Sequence, residues 1–492
     1  MAINAGMLAY SATLHSPTKN EPGHLVAGLS HWEFGRFELY RVNPPLTRMI
    51  AALPVIWVGY EDDWSGFYDS PGARPVFGMG ADFIRANGER SIRLFTLARW
   101  ACIPISLLGC WFVYCFADEL YGSPSGLIAA ILWCFSPNIL AHAELITPDI
   151  AATTFNIGAT YYFWRWLKMP TWPNAGLAGL MLGLAELSKS SWVILFGLWP
   201  LLWLFWLLTE PGSAATNDKS RLSLSTQLWR QIPQFTSILL LALYLLNLGY
   251  GFEGSFTKLG RFQFVSTALT GMDKPGEVGN RFKEGWLASV PVPLPANYVR
   301  GIDVQKKDFE NYATPNYLRG EWKEDGGWWY YYLYALVVKG ALGTWVMLGM
   351  AIVMASLGVG GRHNWRDEIL LVTPALTLLI LVSSQTEINA HLRYVLPVIG
   401  IFLVFCSRAA LGLTMRSVPC RIKVQILPLL LGSVLWTVVT TTWNYPHQLA
   451  YFNELVCGTE SEYKHLLGSN LDWGQGNRMR MALEMHLTSL GV

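Results

Sequence analysis

Apolar runs recur near 92–116, 125–146, 150–167, 175–209, 234–252, 328–357, 369–383, 393–407 and 424–443. A helix needs about 20 such residues to cross a bilayer, so the run 175–209 is long enough for two crossings and the pattern predicts about ten spans. The run Met1–Leu14 is shorter and lacks a basic flank, so it reads as a clipped first span and not as a cleavable leader. Polar stretches of unequal size separate the runs at Ser16–Arg90, Phe252–Gly327 and Asn444–Val492. With the first run entering from the cytoplasm, all three fall on the outer side. The expected organisation is a multi-pass domain over 1–443, with outer loops at 15–90 and 252–327, and an extracytoplasmic tail over 444–492.

Short-loop charge supports that orientation. Arg408, Arg416, Arg421 and Lys423 share one predicted inner loop, and Arg362 and Arg366 another. Lys219, Arg221 and Arg230, nearly balanced by acids, are neutral to the question. Arg90, Arg93 and Arg99 crowd the opposite, outer end of the 92–116 run, which points to an anionic partner on that side. No repeat relates the two halves of the chain, as many transporters would show.

Composition agrees. The 492 residues are 52% hydrophobic and only 14% charged, with 23 tryptophans, which excludes an ordinary soluble enzyme and makes the bilayer the chain's solvent. A net charge of +2, scattered between the runs, excludes nucleic acid as a partner. The seven cysteines lie mostly inside apolar runs and form neither a disulfide framework nor a metal-spaced cluster. The fold class is therefore an all-α polytopic membrane protein.

Candidate chemistry gathers at the outer ends of the runs. In "TKNEPGHLVAGLSHW" (Thr18–Trp32), Asn20 reads as an N-cap and Pro22 fits a first helical turn. Leu25, Leu29 and Trp32 form one apolar stripe, which predicts a helix lying in the membrane interface. Glu21 at its N-terminus reads either as a general base or as a complement to the helix dipole. Glu144 and Asp149 flank Thr147-Pro148 at the turn between two runs, and Asp149 either caps the next helix or serves a site. Lys189, Lys339 and Arg393 interrupt or begin apolar stretches. Such cations are costly in lipid unless paired, so phosphate oxygens and interfacial snorkelling are the two readings. His24, His31 and His391 lack the spacing of a metal site, so no metal ligand is assigned and a divalent ion stays open only as a cofactor. "GGWWYYYLY" (Gly326–Tyr334) and "LDWGQ" (Leu471–Gln475) read as interface belts or packing before sugar platforms.

Taken together, "NEPGHLVAGLSHW…NPPL", "SPNILAHAELITPD", "LAELSKSS", "PVPLPANYVRGID", "HLRYVLP" and "NYPHQLAYFNELVCGTESEYKHLLGSNLDWGQ" resemble bacterial protein O-mannosyltransferase-like glycosyltransferases, family 39 of the GT-C class. The resemblance runs from about residue 19 to 475 and rests on the order of the motifs. It implies a GT-C-type helical bundle, a sugar donor linked to polyprenyl phosphate, and one-step transfer with inversion to a hydroxyl of a protein or glycolipid on the outer face of the cell (inner) membrane. The family's first-loop acid falls on Glu21, where relatives carry Asp-Glu and this chain has Asn20-Glu21. The family's "HPPL" is here "NPPL", with Asn43 replacing His. The second-turn acid falls on Asp149 and the basic residue of the "RYLLP"-like motif on Arg393. Relatives continue past the last motif, so the resemblance implies a chain shortened at its ends.

The expected assignment makes Glu21 the base, with Asp149 orienting the acceptor. Arg393, Lys189, Lys339 and Arg93 would hold the donor phosphate, and His24, Asn43 and His391 would contact substrate. A lipid or solute transporter or flippase is the competing class, and Asn20 and Asn43 leave a non-catalytic scaffold as a third.

Overall fold

The computed structural model describes residues 1–209, 224–311, 314–358, 365–414, 420–456 and 461–477. Lys219, Arg221, Arg362 and Arg416, which bear on orientation, and the tail beyond 477 lie outside the described residues.

The N-terminal run forms α1 (Ala2–Leu14), and the first polar stretch folds into α2 (Glu21–Phe34), α3 (Leu46–Val58) and α4 (Val76–Asn87). The membrane part begins with α5 (Arg90–Tyr121), α6 (Ser123–Cys134) and α7 (Pro137–Ala143). It continues through α8 (Asp149–Lys168), α9 (Trp172–Ser188), α10 (Ile194–Leu208) and α11 (Leu224–Gly249). The second polar stretch carries α12 (Thr267–Thr270), α13 (Ala296–Glu310) and an antiparallel hairpin pairing Tyr317 with Trp322. The remaining helices are α14 (Tyr331–Lys339), α15 (Leu342–Ser356), α16 (Trp365–Ser383), α17 (Leu396–Cys406), α18 (Leu411–Thr414) and α19 (Cys420–Trp443).

Every apolar run is helical, but fewer are free-standing spans than the pattern predicts. Among the described residues five helices are long and apolar enough to cross a membrane. The count is up to seven if α6 with α7, bent by 58°, and α14 with α15, bent by 111°, are each one crossing. Helices α8, α9 and α16 account for the difference: α8 carries Asp149, Arg165 and Lys168, α16 opens on Arg366, Asp367 and Glu368, and α9, with Glu186 inside it, is only 17 residues long. Asp149, Glu186 and Asp367 are buried against protein and not lipid, while Lys168, at the end of α8, is exposed and reaches Asp367 at 3.4 Å. Helix α8 is buried along almost its whole length. Its Thr154 hydroxyl donates to the Ile105 carbonyl at 3.1 Å, and Trp164 donates to Asp367 at 2.8 Å. Close packing depends on glycine: a Cβ at Gly109 of α5 would lie 2.4 Å from the Trp133 ring. The chain is thus an all-α polytopic membrane protein whose central helix is shielded from lipid.

Helix α2 departs from its expected interfacial position. Leu25 and Leu29 are fully buried, but Trp32, third member of the predicted stripe, is 48% exposed. The reason is that α3 and α4 cover α2. A Cβ at Gly28 would lie 2.2 Å from the Arg48 carbonyl of α3, and one at Gly80 of α4 would lie 2.8 Å from Pro22.

The outer segments are cross-braced. The Asp303 carboxylate accepts the backbone N–H groups of Val265 at 2.7 Å and Ser266 at 3.0 Å, which fastens α13 to the second loop. The described part of the tail returns onto the outer ends of the helices, where Asn470 accepts from the Leu392 N–H at 2.9 Å and donates to the Tyr331 hydroxyl at 2.9 Å.

Candidate functional site

Two buried carboxylates sit on the outer side, each fixed by how its helix begins. Glu21 opens α2, but Asn20 makes no side-chain cap. The Glu21 carboxylate itself accepts the Thr18 N–H at 2.7 Å. It also accepts the Ile146 N–H at 3.2 Å and two bonds from Arg99, Nε at 2.8 Å and Nη2 at 2.6 Å. Arg99 spends its remaining donors on the carbonyls of Ala12, His15 and Ser16. Burial alone would raise the Glu21 pKa, but the Arg99 charge and these donors outweigh it and hold the group below its ordinary value. Glu21 is fully buried and lines none of the cavities described below. This corrects its expected place: water does not reach it, and each oxygen is already engaged.

Asp149 opens α8 and is likewise buried, but its surroundings are open on one side. It accepts from Lys189 Nζ at 2.7 Å and lies 3.8 Å from Arg393 Nε. Lys189 follows the last turn of α9 and Arg393 precedes α17, so the chain breaks at both helix ends aim cations at the first residue of α8. The Arg393 guanidinium lies 3.8 Å above the Trp473 ring, and its buried Nη1 has no hydrogen-bond partner among the described residues. An orphaned buried donor of this kind costs about 1–3 kcal/mol or more, which a ligand oxygen would recover.

These groups line a polar cavity of about 460 Å³. Six residues singled out in the sequence meet there: His24, Asn43, Asp149, Lys189, His391 and Arg393. Arg74, Asp308, Gln305, Asn20, Tyr40 and Trp473 join them. Asp308 of α13 is ion-paired with Arg74 from the first outer loop. His24 packs on Tyr40 with ring centroids 4.4 Å apart. Burial first, then Arg48, drives His24 well below the ordinary histidine range, and burial followed by Arg393 does the same to His391. Both shifts favour the neutral imidazole over the imidazolium.

Two expected phosphate ligands lie elsewhere. Arg93 is exposed on α5 and lines none of these cavities. Lys339 is buried, but its Nζ donates to the carbonyls of Leu449 at 2.8 Å and Asn470 at 2.6 Å, so it pins the tail. Trp473, expected to serve as packing, instead walls the cavity beside Arg393. Among the described residues no three His, Cys, Asp or Glu groups are placed to hold a metal ion.

Two further cavities adjoin the first. One, of about 340 Å³, shares Lys189, Gln305 and Tyr394 with it and is otherwise walled largely by apolar residues of α10, α13 and α16, including Ile194, Ile302, Phe309, Leu378 and Val382. The other, of about 630 Å³, shares Lys19, His391 and Trp473 and is lined by Tyr317, Trp322 and Tyr331. The polar cavity thus shares walls with an apolar slot on one side and with an aromatic-rich space on another.

Residues 90–228, from α5 to the start of α11, match the family model described as dolichyl-phosphate-mannose-protein mannosyltransferase. The family resemblance is borne out over that stretch, which holds Asp149 and Lys189. Among solved structures, the chain is similar to ArnT from Cupriavidus metallidurans bound to undecaprenyl phosphate, with 11% identity and a TM-score of 0.49 over 91% of this chain and 71% of that one. It is also similar to the apo state of that protein, with 14% identity and a TM-score of 0.47 over 90% of this chain and 73% of the other. No curated protein matches the chain.

Proposed function

We propose that the chain is an inverting glycosyltransferase that moves a sugar from a polyprenyl-phosphate donor to a hydroxyl acceptor at the outer face of the cell membrane. The observation that carries this reading is that a cationic polar cavity adjoins an apolar slot, with Lys189, Gln305 and Tyr394 lining both. A lipid phosphate has this polarity: a hydrocarbon tail that belongs between helices and an anionic head that needs buried donors. The family match over 90–228 is consistent with it.

In this reading Arg393 and Lys189 hold the donor phosphate. Phosphate is already a good leaving group, so catalysis needs charge stabilisation as the sugar–phosphate bond breaks and not a strong acid on the departing oxygen. Asp149 orients the two cations, while His24, Asn43 and His391 line the space for the sugar and acceptor. Glu21 holds α1, α2 and α5 together and takes no part in proton transfer.

The test is transfer of label from a panel of undecaprenyl-phosphate hexoses and pentoses to membrane acceptors by the purified full chain. Label moved by the parent and lost with Arg393→Ala supports the reading. Undecaprenyl phosphate carried across vesicles without any sugar transfer would replace it with the flippase class.

A further inference from the structure

One-step inversion requires the acceptor to approach the anomeric carbon from the side opposite the leaving phosphate. Asp149 stands on the phosphate side, engaged by the two cations that would hold that group. A base placed there would face the wrong oxygen. Resting on the glycosyltransferase reading above, we infer that Asp308 is the general base of the transfer.

The titratable groups around the cavity leave little choice. Lys19, Arg74, Lys189 and Arg393 are cations and cannot take a proton. Burial keeps His24 and His391 from becoming imidazolium and pushes the Tyr40 hydroxyl up so that it stays protonated, while the Tyr394 ring lies against Lys189 and Arg393, on the phosphate side. The remaining carboxylate is Asp308, which lines the cavity three residues after Gln305 on α13. Its partners are Arg74 of the first outer loop, in direct contact, and Lys307 on its own helix, not Lys189 or Arg393. Burial raises its pKa, and Arg74 followed by Lys307 opposes this without reversing it. A carboxylate shifted upward is a better base than one held down by two cations.

The step balances. The acceptor hydroxyl gives its proton to an Asp308 oxygen as its own oxygen bonds to the anomeric carbon. The bond from that carbon to the phosphate oxygen breaks, and the electron pair leaves with polyprenyl phosphate, whose charge meets Arg393 and Lys189.

The experiment compares the full-length parent with Asp308→Asn, Asp308→Glu and Arg74→Gln in nanodiscs. It measures undecaprenyl phosphate binding, sugar transfer from the donor panel, and the pH profile of transfer. Asp308→Asn should bind undecaprenyl phosphate within about 2-fold of the parent while transfer falls by about 10²-fold or more, and Asp308→Glu should recover part of it. Arg74→Gln removes the charge that lowers the Asp308 pKa, so the acid limb of the profile should move to higher pH; a merely structural pair would leave the limb in place. Transfer by Asp308→Asn within about 3-fold of an active parent, an unmoved limb, or loss of undecaprenyl phosphate binding in Asp308→Asn would each overturn the assignment alone. A parent that neither binds undecaprenyl phosphate nor transfers any sugar of the panel would overturn the donor reading and Asp308 with it.

Discussion

Glu21 with Arg99, and Asp149 with Lys189 and Arg393, are both buried ion pairs at the start of a helix, yet they differ in what is left over. Around Glu21 both oxygens are engaged, and the Arg99 donors not given to Glu21 find the carbonyls of Ala12, His15 and Ser16. Around Asp149 a buried Arg393 nitrogen has no partner among the described residues, and a cavity lies beside it. A closed pair of this kind fixes architecture, whereas an open one retains binding energy for a ligand. Charge and burial alone do not separate the two; the count of satisfied donors does.

The comparison breaks most visibly at Glu21. Glu21→Gln leaves the Arg99 charge buried without its counter-ion, so the chain should lose about 3–5 kcal/mol of stability, read as an early unfolding transition in detergent. Replacing Arg99 as well, in a Glu21→Gln, Arg99→Met double variant, should return part of it. If Glu21→Gln unfolds like the parent but loses transfer, Glu21 belongs to the site after all. The pH dependence has a definite sign. The folded-state pKa is lowered, so the contribution of Glu21 is complete above the unfolded value near 4.5 and is lost as pH falls through the lower folded value. Neutral and mildly alkaline solutions should leave it untouched.

Next in size is Lys339→Met, which removes two hydrogen bonds to tail carbonyls and should cost about 1–3 kcal/mol while leaving affinity for lipid phosphate unchanged. A fall in undecaprenyl phosphate affinity without a change in unfolding would restore Lys339 as a phosphate ligand. The smallest effect is expected at Arg93, exposed and away from the cavities. Arg93→Ala should change stability by no more than about 0.5 kcal/mol and affinity not measurably, and a tenfold loss of affinity would contradict its placement.

The helical course was legible because apolar runs separated by polar stretches leave a bilayer protein few choices. Which runs face lipid was harder to read: α8 and α16 owe their polar ends to neighbours distant in sequence, as Trp164 with Asp367 illustrates. Asp149, Lys189, His391 and Arg393 stood out because a charge or an uncommon polar group beside an apolar run is conspicuous, His24 stood out on the opening helix, and Asn43 was marked only by the family resemblance at "NPPL". Glu21 carried the same signal, but its closed surroundings were not legible, since its partner lies 78 positions away and nothing local marks Arg99 as that partner in preference to Arg90 or Arg93. Arg74 and Asp308 stayed hidden for the opposite reason: both lie in outer stretches rich in charge, where no single ionisable group stands out. Trp473 was read as packing because an aromatic near a membrane has many bland explanations, and only its stacking under Arg393 distinguishes it.

The central claim, that the open ion-pair cluster and the apolar slot together receive a lipid phosphate, is tested most directly by binding in nanodiscs. Undecaprenyl phosphate and undecaprenol would be titrated into the parent, Arg393→Ala and Arg393→Lys. The parent should prefer the phosphate by about 10²-fold or more. Arg393→Ala should lose most of that preference, and Arg393→Lys should regain only part, because a point charge replaces a planar fork. Equal affinity of the parent for the phosphate and the alcohol, or an unchanged preference in Arg393→Ala, would contradict the account.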